Sequence, residues 1–205
     1  MFRYPGGDTL DRSGAGYSLT RNFLSDLGMT VAYNGELNRL GASLFVASLL
    51  LLIAGVGTIL VGLVGRYSTT PRSRWFAWGA CAIGALAGAA FVGVAFTPEN
   101  RFIELHVQST LLAWQLVPVA SAFLMLAAVF ANGVTRAATA ILVVLTAVLV
   151  AYVVMLHWGP SISAPPGLKI AVIAQKIVTL VLVGAVLLLS VYTERRTPDA
   201  VQTFT

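Results

Sequence analysis

Residues 97–131 read TPENRFIELHVQSTLLAWQLVPVASAFLMLAAVFA, and this stretch decides the fold. It begins as a polar loop and becomes an apolar run long enough for a bilayer-spanning helix, which needs about 20 residues. Thr97 suits an N-cap and Pro98 the first helical position. A helix starting there places Arg101, Glu104, Gln108 and Gln115 on one face, at spacings of three, four and seven. Polar side chains at membrane depth are costly and usually face other helices or a cavity. That stripe is the first site candidate. Pro118 lies further along the same helix and predicts a kink.

Composition agrees with a membrane reading. The chain has 205 residues, 58% hydrophobic and 10% charged, where a soluble domain carries about 25% charged residues. Mean hydropathy is +0.85. The expected fold is an all-α polytopic membrane helix bundle. A net charge of +5 without clusters of Lys and Arg interleaved with aromatics gives no reason to expect a nucleic-acid partner. The single Cys81 allows no intrachain disulfide. Two histidines, His106 and His157, exclude a three-histidine metal site within one chain.

Working outward, five spans are expected: about Leu40 to Val64, Trp75 to Phe96, the opening stretch to Ala131, Ala137 to Leu156, and Leu168 to Tyr192. They divide the chain into an N-terminal segment (1–39), a five-helix transmembrane domain (40–192) and a polar tail (193–205). The N-terminal segment lacks a basic start followed by an apolar core, so no signal peptide is expected. Within it, Leu19, Phe23, Leu24 and Leu27 recur at helical spacing up to Gly28. They predict a short amphipathic helix, lying on the membrane or folded over the outer ends of helices three and four. Asn34-Gly35 and Asn132-Gly133 read as turns.

Charge sets the expected topology. Arg66, Arg72, Arg74 and Arg136 lie in short loops on one side, with Arg195 and Arg196 in the tail, so that side should be cytoplasmic. Six of the eight acids fall on the other side: Asp8, Asp11, Asp26, Glu36, Glu99 and Glu104. Trp75, Trp78 and Trp158 suit the two interfaces. Ala80, Gly84 and Gly88 recur every four residues, a small-residue face that lets a neighbouring helix approach closely, most simply within the bundle.

Three motifs carry a resemblance. They are Tyr4-Pro5-Gly6, then Ser25-Asp26-Leu27-Gly28 followed by Asn34, then Phe96-Thr97-Pro98-Glu99 leading to His106. In these the chain resembles an uncharacterised prokaryotic membrane family, the domain of unknown function nine-nine-eight. The resemblance covers most of the chain and implies a prokaryotic inner or plasma membrane location, but no biochemical activity. Such families usually place a spanning helix before the Tyr-Pro-Gly loop. This chain begins just before it, so either its start is shortened or it has five helices where others have six.

Candidate polar groups are Asp26, Glu104, His106, Gln108, Gln115, His157 and Lys176. Ser25 and Asp26 could supply a nucleophile and a carboxylate, or simply orient their local helix. His106 and His157 end adjacent helices on one side and could approach each other. With Asp26 or Glu104 they could hold a divalent metal, or a haem between them; interfacial histidines bonded to loop backbone are the plainer alternative. Arg101 and Glu104 suit an i,i+3 ion pair. Lys176, about 12 Å along the fifth helix, is expected to face the interior and bond to Gln115 or Glu104. The leading functional expectation is a non-enzymatic membrane protein, either an accessory subunit partnered by other membrane subunits or a binder of lipid or another small apolar ligand. The alternative is a membrane-embedded lipid hydrolase built on Asp26, Glu104, His106 and His157; a transporter is third.

Overall fold

The computed structural model describes residues 3–194. Five long helices follow an N-terminal cap: α1 (Arg39–Tyr67), α2 (Pro71–Phe96), α3 (Ile103–Phe130), α4 (Arg136–Trp158) and α5 (Pro165–Glu194). All five are long and apolar enough to cross a membrane. The tail with Arg195 and Arg196 lies outside the described residues.

Helix boundaries follow local chemistry. Thr70 caps α2 by accepting from the Ser73 amide, with Pro71 at the first position. Thr135 caps α4 through the Ala138 amide. Thr97 does not start α3 as expected. Its hydroxyl donates to the Gly93 carbonyl and it closes α2 instead. Residues 98–101 form a turn in which the Arg101 and Phe102 amides both reach the Pro98 carbonyl, and α3 begins only at Ile103.

The loops gather at two ends. At one, Thr70 donates to the Phe130 carbonyl, and Thr69 accepts from the Asn132 amide. At the other, the N-terminal cap meets the α2–α3 loop through Thr30 and Asn100. Two cores hold the helices. One joins all five helices around Leu63, Tyr67, Ala77, Leu124, Leu142 and Leu189 at the uncapped end. The second surrounds Trp114, Leu149, Tyr152 and Val178, where the Trp114 ring meets Phe91 and Tyr152 edge-on. The face with Gly84 and Gly88 turns toward Leu60 and Ile53 of α1. Gly79 meets the Phe123 ring of α3. In contrast, the most apolar window of α1 has no buried residue, so this helix stands partly away from the others.

Close approach at Gly79 gives a test. A leucine there would collide with Phe123, and overpacking of this kind costs about 1–3 kcal/mol. Gly55 faces open space, and Gly55→Ala should gain roughly 0.5–1 kcal/mol of helix preference. Thermal unfolding in detergent should therefore fall for Gly79→Leu and hold or rise for Gly55→Ala.

Candidate functional site: a roofed apolar cavity

The N-terminal segment is a compact polar roof. Its amphipathic helix is not formed as expected. Only Leu24–Gly28 is helical, as a five-residue 3-10 turn, and Leu19 is exposed. The buried side of this turn is polar because Asn and Asp side chains bond the backbone in place of a helical ladder. Asn22 donates to the Gly7 carbonyl and to Asp26 Oδ2, both at 2.9 Å, and accepts from the Ser18 amide. Asp26 Oδ2 also accepts from the Phe23 amide at 3.0 Å, closing the turn. Tyr17 donates toward the Asn22 and Phe23 carbonyls. Gly7, at φ 80°, brings the backbone against Tyr33 as no residue with a Cβ could. On the outer surface Arg21 bridges Asp8 at 3.0 Å and Asp11 at 3.7 Å.

The roof is anchored on α1 and α5 and touches the α2–α3 loop through Thr30 and Tyr33; its 3-10 turn packs on α1 and α5 rather than over the ends of α3 and α4. Asn38, at the start of α1, donates to the Leu27 and Met29 carbonyls. Gln175 of α5 accepts from the Leu24 amide at 2.8 Å. Lys176 donates to the Asn22 carbonyl and lies over the Tyr17 ring, 5.3 Å from its centroid. Lys176 therefore does not bond to Gln115 or Glu104. It is level with the polar roof, so counting its depth from Leu168 overstated its immersion.

Asp26 is fully buried and its Oδ1 has no partner. Burial pushes its carboxyl up to about 7; the Glu99 charge adds to this, while bonds from Asn22 and Phe23 and the charge of Lys176 oppose it. Burial likewise raises the Tyr4, Tyr17 and Tyr33 phenols above their ordinary value, so all three stay protonated.

Beneath the roof lies a cavity of about 1000 Å³ between α1 and the other helices. Its wall runs from Gly41 to Leu63 on α1, from Cys81 to Val94 on α2, from Thr110 to Leu124 on α3 and from Gln175 to Leu189 on α5. Most of that wall is apolar. Arg3, Tyr4, Ser25 and Gln175 form its head end. Some wall hydroxyls are satisfied: Thr179 donates to the Gln175 carbonyl, and Ser121 bonds Thr146. The Thr110 hydroxyl is buried without a partner, and the Tyr4 hydroxyl is buried against the Tyr33 backbone.

The polar stripe of α3 lies elsewhere. Arg101, Glu104, Gln108 and Gln115 are all exposed on the outer surface of the bundle. Arg101 and Glu104 form no ion pair among the described residues. The two histidines do not meet. His106 is buried, with Nδ1 2.7 Å from the Thr97 carbonyl, whereas His157 is exposed and bonds Gln115 at 3.0 Å. Among the described residues no three His, Cys, Asp or Glu side chains gather as a metal-binding group. Residues missed from sequence are Asn22, Asn38, Tyr17 and Tyr33. Their signal was a density of Asn, Asp and Tyr in 4–38 that no apolar periodicity accounts for.

Five apolar spans and a cavity opening between them define an integral membrane protein. The chain matches no family model, no curated protein and no solved structure.

The Asp26 environment sets a pH dependence. An unfolded Asp titrates near about 4, and the folded one at about 7. Between those values the folded chain binds the extra proton, so this contribution to stability falls as pH rises from about 4 to about 7 and is flat above. Asp26→Asn should remove that slope relative to the parent and raise stability at pH 8, measured by thermal unfolding in detergent.

Proposed function

We propose that this protein is a non-enzymatic membrane protein that binds a lipid or similarly apolar ligand in the roofed cavity. The observation that carries this reading is the cavity itself, about 1000 Å³ and largely apolar. That is at the upper end of the roughly 300–1,000 Å³ typical of ligand sites. The hydrolase alternative has less support, because Asp26, Glu104, His106 and His157 each sit with separate surroundings. The charge of the short loops supports placing the roofed end outside the cytoplasm. A reporter fused after Thr205 and active only outside would refute that placement. Membership in the family suggested by Ser25-Asp26-Leu27-Gly28 is likewise a proposal.

A second observation favours an accessory role alongside lipid binding. Gln108, Gln115 and His157 form an exposed polar patch on the outer face of α3 and α4 near the roofed end of the bundle, a surface that another membrane subunit would cover. If that face meets another subunit, a stable membrane partner should co-purify and be lost in Gln108→Leu/Gln115→Leu. Retention of the partner by that double variant would argue against this face.

The cavity reading has a direct test. Protein purified in mild detergent should carry about one lipid per chain by native mass spectrometry. Val56 lines the cavity from α1, and Val56→Trp should reduce the bound lipid several-fold. Unchanged lipid content would remove the cavity as its site.

A further inference from the structure

We propose that the cavity's ligand is an uncharged lipid of the diacylglycerol type, whose hydroxyl and ester carbonyls meet Ser25 and Gln175 under the roof. This rests on the reading of the cavity as a lipid site and adds the chemistry of the ligand's head.

The charges around the cavity decide against a charged head. Among the described lining residues only Arg3 is charged, and it is exposed, where water and salt screen it. Lys176 does not line the cavity; its ammonium is held by the Asn22 carbonyl and the Tyr17 ring. The charges acting on Tyr4, which lines the head end, are those of Asp26, Glu99 and Asp8. A phosphate drawn inward would lose its water and face those acids with no cation in the wall to pair with. A cationic head fares no better, because no carboxylate lines the wall and Asp26 is fully buried. An uncharged head avoids both costs.

The polar atoms that the cavity does offer are neutral. Gln175 spends Oε1 on the Leu24 amide. Its Nε2 bonds nothing among the described residues and, unlike the enclosed Thr110 hydroxyl, is open to contact. Ser25 is half-buried and lines the cavity, and its hydroxyl also bonds nothing among the described residues. An amide NH2 suits carbonyl oxygens, and a hydroxyl both gives and accepts, which suits another hydroxyl. The two groups share one end of the cavity, since Gln175 is bonded to Leu24, the neighbour of Ser25 in the 3-10 turn. Below them the α5 wall runs through Leu182 and Val186 to Leu189. That is about 21 Å from Gln175 at 1.5 Å per residue, more than one leaflet's share of a hydrocarbon core about 30 Å thick. Acyl chains hung from the head would lie along it.

The experiment offers dioleoylglycerol, dioleoyl phosphatidylglycerol and dioleoyl phosphatidylcholine, which share their chains, to delipidated protein in detergent. Binding is read by native mass spectrometry and by thermal shift. Dioleoylglycerol should bind at least tenfold more tightly than either phospholipid, and Val56→Trp should block it. Ser25→Ala removes a hydroxyl that bonds nothing among the described residues, so lipid-free unfolding should be unchanged. Its affinity for dioleoylglycerol should fall about fivefold, as loss of one neutral hydrogen bond implies. Gln175→Glu keeps the acceptor for Leu24, loses the amide donors, and should weaken dioleoylglycerol by a similar factor. If a phospholipid binds as tightly as dioleoylglycerol and Val56→Trp blocks both, the uncharged head is overturned and the lipid cavity stands. If dioleoylglycerol is preferred but both head variants bind it as the parent does, the contacts to Ser25 and Gln175 are overturned. If no lipid shows binding sensitive to Val56→Trp, this proposal and the cavity reading both fall.

Discussion

Two neighbouring side chains of α5, Gln175 and Lys176, hold the roof to the bundle through backbone groups of Leu24 and Asn22. The constraint behind this pair is general. Chain without regular hydrogen bonding can be buried at the end of an apolar bundle only if its amides and carbonyls find other partners. Residues 3–38 contain one short 3-10 turn and no strand. Their polar atoms are met by Asn22, Asp26, Asn38, Tyr17 and the two α5 side chains. Take away that set and the segment would have no reason to stay folded against membrane helices.

The same set explains how a cavity of this size survives. Helices in a bilayer associate by close packing and polar contacts, since lipid is as apolar as their side chains. At the uncapped end α1 packs closely, with Leu63, Val64 and Tyr67 in a shared core. Toward the roof Leu44, Phe45, Leu49, Leu52 and Ile53 of α1 face the gap, and Asn38 ties that end of the helix to the roof from above. The roof fixes the spacing that side-chain packing does not.

Sequence made the bundle legible because length and hydropathy alone identify a spanning helix. Five spans were expected and five are present, with ends shifted by a few residues. The Thr97 reading failed because a Thr-Pro pair after a long apolar run suits the close of one helix as well as the start of the next. Leu19 to Gly28 was misread for a different reason. Its apolar spacing is helical, but Asn22 and Asp26 sit where their side chains compete with helical bonding, and tertiary contacts with Gly7 and α5 decided the outcome. Lys176 was expected to bond Gln115 or Glu104, yet its partner is a main-chain carbonyl, and no side-chain inventory could name that. The outward turn of Glu104, Gln108 and Gln115 was equally hidden, because periodicity groups residues on a face without saying which way the face points.

The roof is bonded to both walls, to α1 through Asn38 and to α5 through Gln175 and Lys176. Lifting it would break several hydrogen bonds at once, whereas the gap beside α1 needs none broken. A ligand of the proposed kind would therefore enter sideways, within the plane of the bilayer. Its occupancy would follow the mole fraction of a molecule among surrounding lipids, with no reference to that molecule's concentration in water. Exchange would be paced by two-dimensional diffusion and by breathing of α1.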